Sequence, residues 1–83
     1  MFGLSDEEKK FLINNANDLG YEPNIKNAFD AKNLREVQTN INIYLTDDDC
    51  MYYDSDGQNW YTEKGKYVQS LYDKILDWKY SQE

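Results

Sequence analysis

Histidine is absent from these 83 residues, and cysteine, proline and arginine occur once each, as Cys50, Pro23 and Arg35. Each shortage excludes a chemistry. One thiolate and no imidazole cannot complete a tetrahedral zinc site. Cys50 has no partner for an internal disulfide and no neighbouring base to make it a nucleophile, so nothing points to an oxidising compartment or to thiol catalysis. The glycines at 3, 20, 57 and 65 are scattered and form no phosphate-binding loop. No apolar run is long enough to span a bilayer, and Met1 to Leu4 is followed at once by Ser5-Asp6-Glu7-Glu8, which is not a signal-peptide core. The expectation is a soluble, cytoplasmic protein with no cofactor and no enzymatic activity. Loop carboxylates in water keep ordinary acidities and make poor general acids.

Basic residues are also scarce, with 9 Lys and Arg against 16 Asp and Glu and a net charge of -7. Direct nucleic-acid binding needs a basic footprint that releases counterions, and an anionic membrane needs the same. Both are disfavoured. An acidic chain is suited instead to a basic surface on another protein. Leu, Ile, Val and Phe number only 17 of 83, so the eight tyrosines and two tryptophans must supply much of the buried area. The length provides for one domain, residues 1–83.

The order of elements reads as α+β. Ser5 with Glu8 forms a capping box, Leu12, Ala16 and Leu19 fall on one stripe, and Gly20 suits a C-terminal cap, which predicts a first helix over 6–19. Glu22-Pro23 breaks the chain. Ile25, Ala28 and Phe29 predict a short helical segment, with Asp30 as the cap of a further turn through Leu34. Val37, Thr39, Ile41, Ile43 and Leu45 then alternate with polar residues and predict a strand. With Cys50 to Asp54 and Asn59 to Glu63, it completes a three-stranded antiparallel meander turned at Asp47-Asp48-Asp49 and at Asp56-Gly57. Thr62 caps a C-terminal amphipathic helix, about 65–80, whose stripe of Val68, Leu71, Tyr72, Ile75, Leu76 and Trp78 is expected to cover the sheet.

Two-residue and three-residue turns at those positions set a register in which Tyr53 faces Trp60 and Tyr52 faces Tyr61. Ile41, Ile43, Leu45, Met51, Tyr53 and Trp60 then share the buried face. Tyr44, Tyr52 and Tyr61 form a row on the other face, bordered by Asn42, Asp54 and Asn59.

That row, with Asp47, Asp48 and Asp49 beside it, is the candidate partner-binding surface, because tyrosine combines large rigid contact area with a hydroxyl. Cross-strand aromatic pairs also stabilise a sheet without any partner, and aspartates are favoured in turns for local reasons. In size and acidity alone the chain resembles small inhibitors carried by phages and mobile elements. The resemblance implies an inhibitor or a nucleic-acid mimic, since carboxylates at strand spacing lie about 6–7 Å apart, as phosphates do. Two alternatives stand beside it. Asp54, Asp56, Gly57 and Glu63 match part of a calcium-binding EF-hand loop, but Tyr52 occupies its first ligand position. A homo-oligomer paired through strand edges or the Tyr face is the other.

Overall fold

The computed structural model describes residues 1–82. Four helices and one two-stranded sheet make up an α+β fold among these residues: α1 (Asp6–Ala16), α2 (Ile25–Asp30), α3 (Leu34–Leu45), β1 (Met51–Tyr53), β2 (Asn59–Tyr61) and α4 (Glu63–Ser81). The first helix begins as its sequence dictates. Ser5 Oγ accepts from Glu8 N at 3.1 Å while Glu8 accepts from Ser5 N at 2.9 Å, satisfying two amides that the first turn leaves free. It stops at Ala16, short of the expected residue 19, and the Asn17 side chain turns to the Lys26 amide at the start of α2. Gly20 does take the left-handed conformation, with φ 78°.

Asn24 caps α2 by accepting from Asn27 N. The next cap is Asn33, which accepts from Glu36 N, and not Asp30, the last residue of α2. This cap opens the main departure from the sequence reading. Residues 34–45 form a helix and not a strand, so the predicted three-stranded meander is a two-stranded hairpin.

The segment carries two periods at once. Val37, Ile41, Tyr44 and Leu45 alternate in part with polar residues, but they also fall at helical spacing, and these four are the buried apolar residues of α3. Asn40 decides in favour of the helix. Fully buried, it donates from Nδ2 to Pro23 O at 3.0 Å and to Glu36 O at 2.9 Å, tying the interior of α3 to the turn before α2. A cap at one end and apolar neighbours along one face outweigh the β-propensity of Val, Thr and Ile, which is small and context-dependent.

The core therefore lies among helices. Leu12, Ala16, Ile25, Ala28, Phe29, Val37, Ile41, Tyr44, Cys50, Val68, Leu71 and Ile75 are buried in one cluster. The chain centres on α3, which packs on α1, α2 and α4. Thr62 caps α4 as expected, accepting from Gly65 N at 3.0 Å. The buried side chains of α4, Val68, Leu71 and Ile75, belong to this helical cluster, and α4 also meets β2, where Tyr61 Oη donates to Gln69 Oε1 at 3.5 Å. No helix of the described residues is long and apolar enough to cross a membrane.

Candidate functional site: an aromatic hairpin

The hairpin is built by its loop. Gly57 N donates to Asp54 O and Asp54 N to Gln58 O, each at 3.0 Å, and Gly57 has φ 79°. Ser55, Asp56 and Gly57 thus form a three-residue loop with glycine at the left-handed position, in place of the two-residue turn read from Asp56-Gly57. The extra residue shifts the register by one. Met51 faces Tyr61, Tyr52 faces Trp60 and Tyr53 faces Asn59.

A one-residue shift changes the face of every side chain on one strand. Tyr52 and Trp60 share one side with Asp54, while Met51, Tyr53, Asn59 and Tyr61 share the other. The tyrosine row does not form. Tyr44 is buried within α3, where its hydroxyl donates to Asp49 Oδ2 at 3.3 Å, and Tyr52 and Tyr61 lie on opposite sides of the ribbon. Burial first, then the neighbouring Cys50 and Asp49, push the Tyr44 phenol well above its ordinary range. Asn42 is exposed on α3, away from any sheet.

The remaining expected contact residues divide by role. Asp54 is a latch for the loop. Its Oδ1 accepts from Asp56 N and Gln58 N, both at 2.9 Å, and its Oδ2 accepts from Trp60 Nε1 at 2.8 Å. The Trp60 bond and then the Gln58 amide hold this carboxyl below its usual range, because each favours the charged form. Asp47, Asp48 and Asp49 are exposed in the turn that joins α3 to β1, not between two strands. There Asp47 Oδ1 accepts from Asp49 N at 3.0 Å, which is a local reason for an aspartate at that position.

The calcium reading finds no cluster: among the described residues no three His, Cys, Asp or Glu side chains converge to hold a metal ion. Asp54, Asp56 and Glu63 are not gathered in such a group, and the Asp54 carboxylate accepts instead from two loop amides and the Trp60 indole. Carboxylates on turns are likewise not the strand-spaced row on which nucleic-acid mimicry rested.

What the structure brings together instead includes two residues that the sequence reading placed in the core. Tyr53 is 70% and Trp60 50% exposed, beside Tyr52 at 50% and Tyr61 at 38%. Met51, Asn59, Trp60 and Tyr61 line an open concavity along β2. The Asp-Ser-Asp-Gly loop signature was the clue to this register, since an Asx-type turn ending in a left-handed glycine adds one residue to the connection. Around the aromatics, residues 47–66 carry six acids against two lysines, more than half of the net charge of -7.

The hairpin is fixed to the helices at its base. Thr62 N donates to Cys50 O at 2.9 Å and Thr62 Oγ1 to Asp49 O at 2.6 Å, while Gly65 lies so close that an added Cβ would fall 2.0 Å from Cys50 O. Cys50 is buried at this junction, and burial followed by the Asp49 charge pushes its thiol up, which opposes nucleophilic use. Compared with protein-family models, curated proteins and solved structures, the chain matches none of them.

Proposed function

We propose that this chain is a non-catalytic, acidic protein-binding module that docks through the hairpin of residues 51–61 onto a basic surface of another protein. The observation that carries the reading is the exposure of four large aromatic side chains, Tyr52, Tyr53, Trp60 and Tyr61, on a ribbon of two three-residue strands. Their exposed area forgoes part of the roughly 1.5–3 kcal/mol that full burial of a large apolar side chain yields. Tyrosine and tryptophan are the residues that concentrate at interface cores. The ring of acids selects the partner's charge and speeds its encounter. The raised thiol of Cys50 opposes its use as a nucleophile, which supports a binding role over thiol catalysis.

The test is affinity capture with wild type and with a Tyr52→Ala/Trp60→Ala double variant, followed by reconstitution of any captured protein in pure form. The reading expects a basic partner whose affinity falls with added salt and drops by at least a hundredfold in the double variant. Equal binding by wild type and a correctly folded variant refutes it, and so does the lack of any saturable partner.

A further inference from the structure

We propose that the partner engages this surface by adding a strand: an extended basic segment pairs with the outer edge of β2, with apolar side chains entering the concavity and cationic ones lying over Trp60. The inference rests on the docking role just given and names its mode and the chemistry of the segment.

The main-chain geometry provides the edge. The Cys50–Thr62 and Asp54–Gln58 positions are hydrogen-bonded across the ribbon, so by antiparallel alternation Tyr52–Trp60 is the bonded pair between them. The N–H and C=O groups of Asn59 and Tyr61 must then point outward from β2, and among the described residues no hydrogen bond beyond the ribbon occupies them. All three residues of β2 are exposed. Proteins protect open edges with lysine, proline or an inward charge, and Asn59-Trp60-Tyr61 has none of these. A lone two-stranded ribbon is also marginal in water, and a third strand is what such a sheet lacks.

Side-chain chemistry selects the occupant. A strand beside β2 places alternate residues on the two sides of the ribbon. On one side they meet Met51, Asn59 and Tyr61, which together with Trp60 line the concavity and suit an aliphatic or aromatic residue. On the other they meet the indole of Trp60 and the ring of Tyr52, with the Asp54 carboxylate at the indole edge. An arginine or lysine there gains a cation–π contact and a nearby negative charge. A second copy of this chain is a poor occupant, because it would oppose two segments that each carry six acids against two lysines.

The experiment selects peptides from a random displayed library on the full chain, then remakes the enriched sequences with alternate backbone amides N-methylated. Strand addition expects sequences alternating basic and apolar residues. N-methylation on the paired parity should weaken them by about tenfold or more, and on the other parity should leave them nearly unchanged. Asn59→Pro removes only an outward N–H and should weaken binding about tenfold with the circular-dichroism spectrum retained. Should that variant fail to fold, the N-methyl series still decides. Enriched peptides that tolerate N-methylation at both parities, or that have no alternation, overturn strand addition. They leave the docking role intact if Tyr52→Ala/Trp60→Ala still abolishes their binding. Failure of any peptide to enrich also overturns strand addition, and the captured-partner experiment then judges the docking role separately.

Discussion

Gly65→Ala sets helix propensity against tertiary contact at one position. Gly65 lies in the first turn of α4 with helical backbone, so propensity alone expects alanine to stabilise by up to about 1 kcal/mol. The tertiary structure opposes this. The new Cβ would meet Cys50 O at 2.0 Å, when ordinary contact begins near 3.4 Å, so the two backbones would have to separate by more than 1 Å. Such a shift also pulls on the bonds from Thr62 N to Cys50 O and from Thr62 Oγ1 to Asp49 O. Overpacking in a close contact costs about 1–3 kcal/mol or more, and each strained hydrogen bond adds about 1 kcal/mol. Set against the propensity gain, the net loss is about 2–4 kcal/mol. In a domain of this size that lowers Tm by roughly 10–30 °C. Thermal melting followed by circular dichroism at pH 7 reads it directly. Gly20→Ala serves as the control, since nothing lies within 4 Å of its Cβ and only the positive φ of 78° is strained, a cost of about 1 kcal/mol. A Gly65→Ala protein as stable as wild type would refute the close approach of α4 to Cys50.

Four further outcomes are expected. Ser5→Ala removes the N-cap of α1 and should cost about 1 kcal/mol, measured by urea denaturation. Because folding raises the phenol of Tyr44, its contribution is complete below the unfolded tyrosine value near pH 10 and is lost as pH rises beyond it. Absorbance titration at 295 nm should show one tyrosine that ionises only with unfolding, and Tyr44→Phe should abolish that late step. For Asp54 the sign is opposite: its carboxyl is lowered by the Trp60 and Gln58 bonds, so the latch persists below the unfolded aspartate value near pH 4 and opens as pH falls through the folded one. Tryptophan fluorescence should report an acid transition that Asp54→Ala eliminates. Tyr53→Ala should change the melting temperature by no more than about 2 °C, since its side chain is largely in water, and a larger fall would mean that the ring is packed.

Local signals in the chain were enough to place some elements and not others. The Ser5–Glu8 box and the Thr62 cap depend on residues three apart, and both helices begin where those residues stand. The buried stripe of α4 was legible too, because Val68, Leu71 and Ile75 fit only a helical period. Residues 37–45 were not decidable locally. Their apolar positions satisfy alternation and helical spacing together, and Asn40 acquires its role only when Pro23, 17 positions earlier, is brought beside it. The hairpin was visible at Asp56-Gly57, but its register depended on the carboxylate of Asp54 capturing two amides and the Trp60 indole.

Composition and local pattern are enough to establish an acidic chain with few bases, no histidine, one unpaired cysteine, capped helices at both ends and a turn near residue 56. That Tyr44 is interior and that Tyr53 and Trp60 face water emerges from the packed fold alone. Side-chain direction in a ribbon reverses with a single residue of loop length, and the choice between helix and strand in α3 rests on contacts distant in sequence.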